Sequence, residues 1–119
     1  DGGGHFFLKE RVGIPKAKQL MWSGQLLNGK EAQKLGLVDE VAPDGEGHAT
    51  AAAYAQKLLA SPVAAMITSK EIFHLSKINE LQAILRGEAK GQTAMRKTTD
   101  HQEGIQAFVQ KRKPTFKGE

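Results

Sequence analysis

The stretch GQLLNGKEAQKLGLVDEVAP, Gly24 to Pro43, decides the reading of this chain. Lys30 to Leu35 is predicted as one short helix, because Glu31, Ala32 and Lys34 favour that state. Gly36 falls where a left-handed residue closes a helix. Leu37, Val38 and Val41, interrupted by Asp39 and Glu40, suit a short strand, and Pro43 stops it. Helix, glycine stop, short apolar strand and proline make a compact connector rather than a catalytic site.

Upstream, Asp1 precedes Gly2, Gly3 and Gly4, a backbone able to approach a ligand closely. Phe6 to Val12 reads as a turn or two of helix ended by Gly13. Pro15 opens the next helix, which runs to Gly24 with Ala17, Leu20 and Met21 at helical spacing. Trp22 reads as a packing residue. Downstream, Asp44 to Gly47 is a turn cluster. Helices follow at about Ala49–Ala60, from Pro62 to about Ser76 with Ser61 as cap, and from Asn79 to about Lys97. In the second of these Ala65, Met66, Ile72, Phe73 and Leu75 are expected to face mostly inward. Gly87 to Thr93 is small and polar, fit for exposure or for close packing on another chain. The last helix, Asp100 to about Lys111, has Thr99-Asp100 as its cap and Glu103 in capping-box position. Its apolar stripe is Ile105, Phe108 and Val109. The chain is therefore mostly α, with one short strand and no partner for it. It reads as the helical remainder of something larger.

The 119 residues are 39% hydrophobic and 25% charged, which describes a globular chain. No apolar run approaches the length of a membrane span, and no signal-peptide pattern opens the sequence. Cysteine is absent, which excludes disulfides and favours a cytoplasmic setting. The net charge of +4 is concentrated near the end, in Lys111, Arg112, Lys113 and Lys117. These cations suit a solvated tail that complements a helix C-terminus, or a polyanionic partner. His5, His48, His74 and His101 show no metal-ligand spacing.

Three motifs in order resemble the enoyl-CoA hydratase/isomerase (crotonase) family. They are Asp1-Gly-Gly-Gly-His-Phe-Phe-Leu8 with Arg11-Val12-Gly13, the connector above, and the closing set Asp100, Glu103-Gly104, Ala107-Phe108, Lys111-Arg112-Lys113-Pro114 and Phe116. The resemblance implies the C-terminal helical part of an α/β crotonase-like fold. Residues 1–43 would end the catalytic core, and residues 44–119 would form a helical oligomerisation region. It also implies an acyl-CoA substrate, with coenzyme A present only as part of that substrate, and assembly as trimers or hexamers. The oxyanion donors and the usual catalytic Glu would lie upstream.

Asp1 stands where several isomerases and aryl-CoA dehalogenases of the family carry an acting Asp. It is the candidate catalytic residue, the alternative being a helix cap. Gly2, Gly3, Gly4 and Lys111 are the candidate substrate-binding residues. The resemblance assigns Lys111 to coenzyme A phosphates, often across a subunit boundary. Gly91-Gln92-Thr93 lies where some hydratases place a Phe against the adenine, and no aromatic side chain stands there for stacking. The expected activity is isomerisation or hydration of an enoyl-CoA through a stabilised thioester enolate. The alternatives are a purely structural trimerisation and CoA-binding half of a hydratase, or a basic helical module for nucleic acid. The last would need exposed aromatics beside a basic face.

Overall fold

The computed structural model describes residues 2–119. It is 69% helix, with no strand among the described residues. Six helices follow one another: α1 Gly4–Ser23, α2 Gly29–Lys34, α3 Gly47–Leu59, α4 Val63–Leu75, α5 Ile78–Met95 and α6 Thr99–Val109.

α1 is two helical segments joined at Gly13, whose φ 74 and ψ 161 lie outside the helical region. Only glycine reaches such angles cheaply. Pro15 follows two residues later, in the first turn of the second segment, where its missing N–H has no helical partner to lose. The break expected at Gly13-Ile14-Pro15 is therefore present as a kink. Gly24 closes α1 in the left-handed region, its N–H reaching Leu20 O at 3.1 Å.

α2 begins one residue earlier than expected, under a reciprocal cap. Asn28 Oδ1 accepts the Glu31 N–H at 3.0 Å, and the Glu31 carboxylate accepts the Asn28 N–H at 2.8 Å. The N–H groups of Gly36 and Leu37 then bond Gln33 O and Ala32 O, each at 2.9 Å, which is the paired closure of a Schellman motif.

The strand expected over Leu37–Val41 is absent. These residues have no neighbouring strand to complete a ladder. They are held instead by side chains. Arg11 donates from Nε to Leu37 O at 3.1 Å and from Nη2 to Asp39 at 2.8 Å, and Gln33 donates to Asp39 O at 3.3 Å.

Two caps also differ from expectation. At α4 the capping position is Pro62, with no side-chain bond, so Ser61 does not cap. At α6 the cap is Thr98, whose Oγ1 accepts the His101 N–H at 3.1 Å. Asp100 and Glu103 are thereby left free for other partners, described below.

The principal helix–helix contact is α1 against α5. Buried apolar side chains among the described residues are Phe6, Ala17 and Ala107 alone. The radius of gyration is 19.0 Å, against about 13.5 Å for a compact domain of this length. Large apolar side chains accordingly stand in the open: Leu26 is 94% exposed, Phe108 85% and Trp22 79%. Trp22 therefore does not pack, and its indole instead lies 5.7 Å beneath the Lys18 ammonium. Ile72, Phe73 and Leu75, expected inward, are exposed as well. Periodicity gave these helices an apolar side, but the described residues supply too little surface to cover it.

Candidate functional site

The Gly-rich loop and the end of α6 hold the residues singled out from the sequence. Asp1 lies outside the described residues. Gly2 and Gly3 have φ 68 and 88, and Gly4 opens α1. Gly3 is buried against the α1–α5 junction, where a Cβ would come within 2.8 Å of the Phe7 ring and 3.7 Å of Leu81.

Glu88, on α5, fixes this loop. A helix start leaves its first N–H groups without partners. Gly3, at the capping position, has no side chain to serve them. The Glu88 carboxylate takes their place, accepting the Gly3 N–H at 2.7 Å and the His5 N–H at 3.0 Å. His5 Nδ1 lies 2.7 Å from the same carboxylate. These donors, the His5 N–H foremost, lower the carboxyl to a pKa of about 2. At neutral pH Glu88 is ionised and can only accept, so His5 Nδ1 carries the proton. The Glu88 side chain is only 5% exposed. Farther along the junction, Lys9 pairs with Glu80, and Lys77 Nζ meets Glu10 at 2.6 Å. α1 is thus tied to α5 at both ends of their contact.

A concavity of about 460 Å³ opens beside the loop, lined by His5, Ile84, Gly87, Glu88, Gly91, Gln92 and Met95. Gly87 and Gly91 leave it room, so the small-residue stretch of α5 does face open space. A second concavity, about 490 Å³, shares Met95 and runs under Ile105, Phe108 and Phe116 of the closing segment. Lys111 lines neither. The structure therefore groups the three glycines with α5 and leaves Lys111 apart from them, at the end of α6. Among the described residues no three His, Asp or Glu side chains gather as a metal site, and no helix is long and apolar enough to cross a membrane.

The profile of the family described as "Enoyl-CoA hydratase/isomerase" matches residues 1–119. The chain belongs to this enoyl-CoA hydratase/isomerase family. YhaR of Bacillus subtilis (strain 168), a member named for that pair of activities, is 48% identical over 116 residues, covering 98% of this chain and 45% of YhaR. The 2,3-dehydroadipyl-CoA hydratase of Escherichia coli (strain K12) is 35% identical over 116 residues, covering 98% of this chain and 46% of that protein. Among solved structures, an enoyl-CoA hydratase from Mycobacterium avium subsp. paratuberculosis K-10 superposes with a TM-score of 0.82 at 32% identity, over 98% of this chain and 48% of its own. The chain spans about half the length of the curated relatives it matches. It corresponds to the helical C-terminal part of the crotonase fold. Family membership displaces the nucleic-acid module, even though Trp22, Phe73 and Phe108 are more exposed than their apolar spacing implied.

Sequence reasoning missed Glu88. A signal was available: Leu81, Ile84 and Leu85 form an apolar stripe, and Glu88 takes its next position. A carboxylate on the apolar side of a helix calls for donors from another element. Glu103, expected in a capping box, makes none, and its side-chain partner is Arg112.

Proposed function

We propose that the intact protein is an acyl-CoA enzyme that shifts the double bond of an enoyl-CoA, and that Asp1 carries the proton. The observation supporting this reading is the position of Asp1. It directly precedes a glycine loop that is held in one conformation by the Glu88 carboxylate, in a chain of the enoyl-CoA hydratase/isomerase family. A proton beside a thioester carbonyl is acidic enough to move only when the enolate oxygen is stabilised and a base is near. The stabilising donors would lie in the part of the protein upstream of these residues. Coenzyme A takes part as the handle of the substrate, and a cytoplasmic setting fits the absence of cysteine.

The test is turnover of the intact protein on 3-enoyl-CoA and on 2-enoyl-CoA. Conversion of the 3-enoyl to the 2-enoyl thioester, faster than addition of water to the latter, is the expected result. Hydration without isomerisation would move the assignment to the second reading, a hydratase with its acids upstream. That reading draws support from the hydratase names of several relatives.

Lys111 would then serve the phosphates of coenzyme A. Its ammonium makes no ion pair among the described residues, and ammonium is a good point-charge partner for phosphate. Lys111→Ala should raise KM for acyl-CoA with little change in kcat, and should flatten the salt dependence of KM. Equal KM values for the two proteins would return Lys111 to a solvated tail.

The exposed apolar faces of α4 and α6 support a further part of the reading, that this half builds a homo-oligomer, most simply a trimer or hexamer. Sedimentation of the intact protein at micromolar concentration should show it. A monomer alone would remove the idea.

A further inference from the structure

α6 closes with the N–H of Lys111 on Phe108 O at 3.2 Å and the N–H of Arg112 on Ala107 O at 3.0 Å. This is the closure that Gly36 and Leu37 give α2. It needs a left-handed residue at the pivot. α2 uses a glycine, with φ 79 at Gly36, whereas α6 uses Lys111, with φ 53. Lys111 is the only non-glycine residue with positive φ among the described residues. A Cβ is strained in that region, so a lysine stays there only if its surroundings hold it.

Those surroundings are specific. Arg112 sets Nη1 and Nη2 on the two oxygens of Glu103 at 2.6 and 2.8 Å, and its Nε on Gln110 Oε1 at 2.7 Å. The same Glu103 accepts the Thr115 N–H at 2.8 Å. Asp100 accepts the N–H groups of Lys117 and Gly118, both at 2.7 Å. The segment after the pivot thus folds back along α6 and is pinned at two carboxylates. Arg112 is fully engaged, while the neighbouring Lys111 ammonium has no anionic partner among the described residues.

We propose that Glu103 and Arg112 are positioning residues for Lys111: their two-pronged pair holds the closing turn of α6 in its left-handed form and so aims the Lys111 ammonium at the phosphates of a nucleotide-bearing thioester. This rests on the acyl-CoA reading above. A cation held in its binding direction loses less freedom when the phosphate arrives. A planar fork on a carboxylate is the pairing that fixes direction as well as distance.

The test uses the intact protein, with coenzyme A binding by calorimetry and KM for two substrates. One is an acyl-CoA; the other is the matching acyl-pantetheine, which has no phosphates. Glu103→Gln should weaken coenzyme A binding about tenfold, the size of one charge-assisted contact. It should raise the ratio of the two KM values by the same factor, with the effect on KM rather than kcat. Arg112→Lys keeps the charge, loses the fork, and should do likewise, which covers the case of a Gln variant that does not fold. In a Lys111→Ala background neither change should weaken binding further. A tenfold loss that multiplies with that of Lys111→Ala overturns the proposal. So does an equal loss on acyl-pantetheine, or coenzyme A binding that Lys111→Ala leaves intact. If the protein binds coenzyme A but turns over neither thioester, the proposed activity fails, and the binding cycle still decides the role of Glu103.

Discussion

Replacing Asp1 by Asn in the intact protein should lower isomerase kcat by roughly 10²–10⁴-fold, the range for loss of a general acid–base group. Asn keeps the shape and loses the proton. An acidic side chain beside an apolar acyl chain is costly unless it is neutralised or used, and burial there would raise its pKa toward the working range. In the loop that follows it in sequence, the N–H groups of Gly3 and His5 are both bonded to Glu88. Affinity for a saturated acyl-CoA should barely change. The rival role, a cap on α1, makes the opposite forecast: Asn caps about as well as Asp, so activity would survive. An Asn variant that isomerises 3-enoyl-CoA at the wild-type rate would leave Asp1 structural.

Glu88→Ala should be the most damaging change within the described residues. It strips the Gly3 and His5 N–H groups of their acceptor and lets the loop leave α5. A displacement of the order of 1 Å in a positioning element costs about 10²-fold in rate, so kcat should fall by roughly that factor. The melting temperature should also drop by several degrees.

The pH dependence gives a sharper check. The folded carboxyl is held at about 2, below its ordinary value of 4.5. A depressed folded pKa means that the stabilisation is complete above the ordinary value and is lost as pH falls toward the folded one. Gln imitates the protonated acid. The stability gap between wild type and Glu88→Gln should therefore be full at pH 7, shrink below pH 4.5 and close near pH 2. A gap that stays constant down to pH 2 would show that the carboxylate does not hold the loop.

What was legible in the sequence was local. The helix ended by Gly36, the break at Gly13 and the sequence of helices all rest on residues a few positions apart, and each is present. Caps were less legible because several residues competed for one post. Thr98 takes the position expected of Thr99-Asp100, which frees Asp100 and Glu103 for the returning segment. The strand at Leu37–Val41 failed for a different reason. Its apolar pattern is genuine, but a strand exists only by pairing, and pairing is not a property of its own residues. The family resemblance, carried by three spaced motifs, was legible in full. The Glu88 anchor was not, because nothing near Glu88 in sequence announces that its donors lie at Gly3 and His5.

That anchor also has a history in time. The bond from Gly3 to Glu88 spans 85 residues. A ribosome adding 5–20 residues per second needs roughly 4–17 s to cover that distance. Throughout that interval the glycine loop exists without its acceptor, and closing so long a span is entropically slow even afterwards. The loop is thus ordered by a residue made well after it, and a nascent chain halted before α5 presents the three glycines uncapped.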